Sequence, residues 1–375
     1  MVLIVTFLLA FFFALQSENS LGKQKEKYGI ISLTWLFLAS AFRYYQCEGF
    51  DYEIYEGWYK YIPKLQNTSF TDTFYLSYEA GYYYIMSFFK TLGISFYGFC
   101  VILAAFFYTA LWKGLKKYTD HYGLLTLVFA YKLLFYDTHI SMRQPITIAG
   151  FFLLLPLLQE RKWIKYFLWT FVLTRFHNGA YILFPLYFIT YLNVTKSIFR
   201  WAYIIFVPTI IIGFSGIDIL GPVGEFIASN ADSQMAVTKA DKYFGNDNVS
   251  AVSIIHTLEF FVFSYFVYVN YDKLNFYDPK KQLIIKMFLC LLPLFTLFRG
   301  SEVLSREKDY FILSYAVLTG YIVETPTCLN RNLIKNFVIA LCVFGYFRYI
   351  AAFNNYLLIR TYQLWPLVDG CSFFE

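Results

Sequence analysis

A chain of 375 residues with 58% hydrophobic and only 15% charged side chains is poor material for a soluble domain, in which about a quarter of the residues are charged. The net charge of +6 is spread over short loops rather than gathered into a patch, which argues against a nucleic-acid surface. The six cysteines, Cys47, Cys100, Cys290, Cys328, Cys342 and Cys371, show neither a metal-binding spacing nor a disulfide framework. What remains is an all-α polytopic integral membrane protein, read as a single transmembrane domain over residues 1–375.

In chain order, apolar runs of about 15 to 20 residues recur between charged loops, close to the length a bilayer core requires. They predict spans near residues 1–16, 28–43, 94–112, 121–137, 143–159, 163–175, 178–193, 200–216, 254–270, 282–298, 309–323 and 334–350, about twelve in all. The first run lacks a basic leading segment and a small-residue cleavage signal, so it reads as a span rather than a removed signal peptide. Alternate short loops carry the lysines, among them Lys23, Lys25, Lys27, Lys113, Lys116 and Lys117, which puts those loops in the cytoplasm and both termini outside.

The opposite loops are longer and acidic, and their cations are mostly arginines at helix ends: Arg43, Arg143, Arg175, Arg299 and Arg306. An ammonium at a membrane surface fixes orientation, whereas a planar guanidinium matches phosphate or carboxylate, so chemistry is expected on the outer face. Two of these loops are large, about 43–93 and about 217–253. The first holds an amphipathic stretch from Glu79 to Lys90, too short to cross, that predicts an interfacial or re-entrant helix. The second is rich in Gly, Asn, Asp and Ser and reads as a lid or a small exposed subdomain.

Several groups on that face are candidates for chemistry. Asp51 and Tyr55 fall four apart; with Arg43 they make either a solvated acidic loop with an interfacial arginine or a sugar-binding wall of carboxylate, phenol and ring faces. Arg143, Thr147 and Gly150 share a helical face, with Arg143 either paired at the interface with Asp137 or turned into a polar cavity. His177, between Arg175 and Asn178, is either a satisfied structural imidazole or a group that takes a proton from a hydroxyl, with His139 second in rank. Arg299, Glu302, Arg306 and Asp309, spaced three, four and three, would form one alternating face of a helix beside Tyr310, as an ion ladder or as part of an anion site. Several guanidinium groups crowd into one cavity only if anions neutralise them, and a pyrophosphate would do so.

The order Arg43, Asp51, Tyr55, then Tyr78-Glu79-Ala80-Gly81-Tyr82, then Arg143-Gln144, then Arg175-Phe176-His177-Asn178, and last Arg306 with Asp309-Tyr310-Phe311 resembles the EpsG family of polysaccharide polymerases. That family is a branch of the Wzy-like enzymes, and the resemblance covers nearly the whole chain. Ala80 stands where the family commonly carries Pro, a departure that touches no reactive group. The resemblance implies a GT-C-like fold in a bacterial inner membrane. It implies a polymerase that joins oligosaccharide repeat units carried on undecaprenyl pyrophosphate into an exopolysaccharide, capsule or O-antigen chain, with no cofactor and no metal. A flippase, a chain-length regulator and membrane lipids are the further partners it implies.

In such a reaction Arg143, with Arg299 or Arg306 and with Arg175 in support, would stabilise the leaving pyrophosphate. His177, in competition with Asp51 and Glu79, would act on the acceptor hydroxyl, while Arg43, Tyr55, Asn178, Asp309 and Tyr310 would bind substrate. Other classes share these features. A lipid-linked oligosaccharide flippase is disfavoured because no pseudo-symmetric halves are visible. A glycan ligase or a membrane O-acyltransferase would differ in the acceptor or group transferred, and a structural partner of an assembly complex would need none of these side chains.

Overall fold

The computed structural model describes residues 2–44, 51–68, 79–135, 141–214, 221–222, 229, 254–299, 301–354 and 362–375. The expectations for Tyr78, Asp137 and His139, for nearly all of the loop at 217–253 and for parts of the loop at 43–93 lie outside the described residues. The helices in chain order are α1 (Val2–Asn19), α2 (Gly22–Ala41), α3 (Asp51–Tyr61), α4 (Ala80–Thr91), α5 (Phe96–Leu115), α6 (Tyr122–Lys132), α7 (Gln144–Gln159), α8 (Trp163–Thr174) and α9 (Leu183–Ile189). There follow α10 (Lys196–Phe214), α11 (Ile254–Asn270), α12 (Pro279–Phe295), α13 (Glu302–Arg306), α14 (Ser314–Glu324) and α15 (Arg331–Asn354). Met1–Phe188 with Lys335–Glu375 forms one compact unit, and Ile189–Ile334 forms a second.

The fold is all-α, with one two-stranded ribbon as its sheet among the described residues. Val2–Asn19, Phe96–Leu115 and Arg331–Ala352 are, among the described residues, long and apolar enough to cross a membrane. The chain is a membrane protein. Many other helices have 11 to 17 residues, which reach about 16 to 26 Å against a hydrocarbon core of about 30 Å. Two predicted spans divide: 178–193 is a 3-10 turn, Asn178–Ile182, leading into α9, and 309–323 begins in the 3-10 turn Glu307–Tyr310 before α14.

In the first unit α1 and α2 form a hairpin against α6, and α5 packs between α2 and α7. Small residues permit the close approaches that dispersion needs in a lipid setting. A methyl at Gly114 on α5 would lie 2.6 Å from the Phe152 carbonyl oxygen of α7, so the two backbones touch there. At the turn into α6 the buried Glu18 carboxylate meets His121 Nδ1 at 2.5 Å and accepts from Leu124 N at 3.1 Å. A carboxylate is favoured at that helix N-terminus by the orphan amides it satisfies.

The C-terminal segment staples this unit. Strand β1 (Arg43–Tyr44) pairs antiparallel with β2 (Gln363–Leu364), bringing Arg43 opposite Leu364. Tyr362 OH donates to the Ala39 carbonyl at 2.7 Å, while Ser95 N donates to the Phe373 carbonyl at 3.0 Å. The tail therefore ties the end of α2 to the start of α5.

The second unit is built on rings. Phe260 of α11 stacks on Phe295 of α12 at 4.8 Å, and Phe263 stacks on Tyr315 of α14 at the same separation. Two of its buried polar side chains find backbone partners: Lys286 Nζ donates to the Thr190 carbonyl at 2.9 Å, and Gln282 bonds both the carbonyl and the amide of Val194. A buried ammonium without such an acceptor would be costly.

Candidate active site

Helix α3 is set in place by two phenols on its buried face. Tyr59 OH donates to the Ile94 carbonyl at 2.7 Å, and Tyr52 OH donates to the Arg43 carbonyl at 3.1 Å. Tyr55 and Trp58, three apart on α3, meet edge to face at 5.0 Å. Asp51 opens this helix.

Glu79 precedes α4 in extended conformation, and its side chain does not cap its own helix. It reaches instead to Arg143, at the start of α7, pairing Oε2 with Nη1, while Oε1 accepts from Asn178 N at 3.4 Å. The same guanidinium donates from Nε to Tyr55 OH at 2.9 Å and lies 5.7 Å from the ring centres of both Tyr55 and Trp58. Among the described residues nothing accepts from Nη2 of Arg143, and the side chain is 24% exposed. A guanidinium with one edge satisfied and another open suits an incoming oxyanion.

The frame behind this cluster is backbone. Gly81 N, in the first turn of α4, donates to the Arg175 carbonyl at the end of α8 at 2.8 Å. A side chain at Gly81 would bring Cβ to 2.9 Å from that oxygen, so the glycine is needed for the approach. One helix's orphan amide is satisfied by another helix's orphan carbonyl. His177 Nδ1 accepts from Gly179 N at 3.0 Å, which places the ring proton of the neutral imidazole on Nε2.

Of the residues expected at a site, Tyr55, Glu79, Arg143 and Asn178 are thus brought together, and Asn178 joins through its amide rather than its side chain. The Arg175 guanidinium turns elsewhere, to Thr174 Oγ1 at 3.1 Å, Tyr181 OH at 2.9 Å and the Phe171 ring at 4.7 Å. Arg43 is 3% exposed and donates from Nη1 to the Ser40 carbonyl at 2.6 Å. It also lines a cavity of about 20 Å³, room for one water, with Ser141, Met142 and Pro145, which flank Arg143. Trp58 and Gly81 complete the arrangement; the signal for Trp58 was its position three residues after Tyr55, and that for Gly81 was its place beside Glu79.

Arg299, Arg306, Asp309 and Tyr310 belong to the second unit. The single alternating face expected for them does not form, because Ser301 caps a new short helix, α13, by accepting from Leu304 N at 3.3 Å, and a 3-10 turn follows. Spacings of three and four align side chains only along an unbroken α-helix. Arg306 is exposed, Tyr310 is buried, and Asp309 pairs with Lys308 at 3.6 Å. Burial pushes the neighbouring Glu307 carboxyl up to about 8, with Asp309 adding to the rise and Lys308 and Arg306 opposing it.

Among the described residues no three of His, Cys, Asp and Glu gather as a metal site would require. The family model described as EpsG family matches residues 26–367 of the chain. No curated protein and no solved structure matches it.

Proposed function

The chain belongs to the EpsG family, a family of Wzy-like polysaccharide polymerases, and from that premise we propose that it joins undecaprenyl-pyrophosphate-linked oligosaccharide repeat units at the outer face of a bacterial inner membrane. A non-reducing-end hydroxyl of one lipid-linked unit attacks the anomeric carbon at the reducing end of the growing chain. The anomeric C–O bond breaks, and undecaprenyl pyrophosphate leaves as the anion. The observation that carries the proposal is the Arg143 guanidinium, shared by Glu79 and Tyr55, with nothing among the described residues accepting from Nη2.

Negative charge grows on the pyrophosphate as the bond breaks, so a preorganised cationic donor lowers that barrier without proton transfer to the leaving group. Arg143 fills this role, and the step is written without a metal. Pyrophosphate and the Glu79 carboxylate compete for the same guanidinium. Donor binding therefore frees Glu79 beside the anomeric centre, where it takes the proton of the attacking hydroxyl. His177, with Nε2–H as donor, orients that hydroxyl, and Asp51 remains the rival base. Arg299 and Arg306 remain, from the sequence alone, candidates for phosphate contact.

The orientation has support within the first unit. Tyr97, at the first turn of α5, donates to Glu56 of α3 at 2.7 Å, whereas the lysines Lys113 and Lys116 lie at the far end of the same helix. About twelve crossings result if the bilayer thins locally around the shorter helices. A flippase would supply the lipid-linked units, and a chain-length regulator would act on the product.

The experiment is polymer analysis in cells carrying Arg143→Ala, His177→Ala or Arg306→Ala. Each variant should lose long polysaccharide while single repeat units still reach the surface. Normal-length polymer from all three would overturn the assignment, and Arg143→Lys should also be poor because an ammonium does not reproduce a forked donor.

A further inference from the structure

A groove of about 290 Å³ runs between α2 and α5 of the first unit. Its α2 wall is Ile30, Leu33, Thr34 and Phe37, whose spacing of three, one and three places them on one helical face. Across from them, Ala105 and Thr109 are exposed and small, which opens the slot, and Trp112 and Lys113 stand at one end. The Thr34 hydroxyl donates to the Ile30 carbonyl at 2.8 Å, within its own helix. It has little polarity left to offer, so the slot suits a hydrocarbon chain.

The end of the groove is cationic. Lys116 is paired with Glu26 at 3.6 Å and lies 6.0 Å from the Trp112 ring, whereas Lys113 is exposed and no carboxylate among the described residues pairs with it. An apolar slot that ends in an uncompensated ammonium is complementary to an amphiphile with an anionic head. The position along α5 tells which amphiphile. Tyr97, tied to α3 and so to the Arg143 cluster, precedes Lys113 by sixteen residues, about 24 Å of helix. The head therefore lies at the opposite membrane surface from the Arg143 cluster, where a bilayer lipid sits and a lipid-linked substrate at that cluster would not.

We propose that the α2–α5 groove binds one anionic phospholipid, with an acyl chain against Thr34 and Thr109 and the phosphodiester at Lys113. The lipid braces two helices whose facing residues leave a gap. Naming its leaflet as cytoplasmic rests on the orientation proposed above; the site itself does not.

The test is native mass spectrometry of the purified full chain in neutral detergent, with phosphatidylglycerol or phosphatidylcholine of the same acyl chains added in turn. One phosphatidylglycerol should be retained about fivefold better than phosphatidylcholine, the increment expected of one lysine near a lipid surface. Lys113→Gln should abolish the preference and Lys113→Arg should keep it. Ala105→Phe, which fills the slot at an exposed position, should reduce retention of both lipids. Lys117→Gln, nearby but not lining the groove, should change nothing.

Equal retention of the two lipids by the unaltered protein would overturn the proposal. So would a preference that survives Lys113→Gln, or one lost equally in Lys117→Gln, which would mean diffuse surface attraction. Displacement of phosphatidylglycerol by equimolar undecaprenyl phosphate would overturn the choice of ligand. None of these substitutions touches the Arg143 cluster, so a negative result leaves the polymerase reading standing.

Discussion

Gly81→Ala asks whether backbone contact holds the proposed active site in register. Gly81 N lies 2.8 Å from the Arg175 carbonyl oxygen, and the added methyl would lie 2.9 Å from that oxygen and 3.1 Å from its carbon. Close C···O contacts lie at about 3.3–3.6 Å, so α4 must withdraw by roughly 0.5 Å, carrying Glu79 with it. Overpacking of this kind costs about 1–3 kcal/mol, and weakening the amide bond adds about 1 kcal/mol. The shift acts on a carboxylate that links Arg143 to Asn178 N. Since a misplacement of about 1 Å costs on the order of 100-fold in rate, half that distance predicts roughly tenfold.

The assay has two arms: thermal unfolding in detergent, and the rate of polymer formation from lipid-linked repeat units in proteoliposomes. Gly57→Ala on α3 is the matched control, because nothing lies within 4 Å of a methyl built there. It should be neutral or gain about 0.5–1 kcal/mol, as alanine does in a helix. If Gly81→Ala melts and polymerises like the unaltered protein, the reasoning that ties the α4–α8 contact to Arg143 is refuted.

Three further outcomes follow from particular contacts. Tyr55→Phe removes the oxygen that accepts from Arg143 Nε at 2.9 Å; loss of a charge-assisted bond worth about 1.5–3 kcal/mol should cut turnover by roughly 10- to 100-fold with little change in melting temperature. Glu307, raised to about 8 by burial, keeps its proton between pH 4.5 and 8 while the unfolded chain loses it. Stability should therefore fall as pH rises through that window, by at most about 1.4 kcal/mol per pH unit from this group, and Glu307→Gln should flatten the slope in melting curves. Glu18→Gln leaves buried His121 without its carboxylate and weakens the tie to Leu124 N, so the melting profile should show a loss of about 3 kcal/mol.

Helix type is legible in this sequence because its apolar runs are long, and they stay helical even where Pro156, Pro208 and Pro293 fall inside them; the stretch predicted at 254–270 is the helix Ile254–Asn270. The number of crossings is less legible, since a run such as 309–323 begins in a 3-10 turn and yields only the 11 residues of α14. At the site, Glu79 and Arg143 stand out as charges against apolar surroundings. Their union with Tyr55 depends on α3 docking through Tyr59 onto the Ile94 carbonyl, a contact across 35 residues that no periodicity encodes.

Arg43 and Arg143 show the same limit. Both precede or follow apolar runs on the same expected face, yet one is buried beside a β-ribbon formed with residues more than 300 positions away and the other faces a carboxylate and a phenol. Residue type announced a guanidinium in each case. Only the tertiary contacts distinguish their surroundings.

The central claim is that pyrophosphate and Glu79 exchange on one guanidinium, and the most direct measurement is equilibrium binding of undecaprenyl pyrophosphate to purified Glu79→Gln. Removing the competing charge should tighten binding by about tenfold, a change of about 1.4 kcal/mol, while polymer formation collapses for want of a base. Arg143→Ala should lose the binding. If Glu79→Gln binds the pyrophosphate no better than the unaltered protein, or polymerises at its rate, the exchange does not occur.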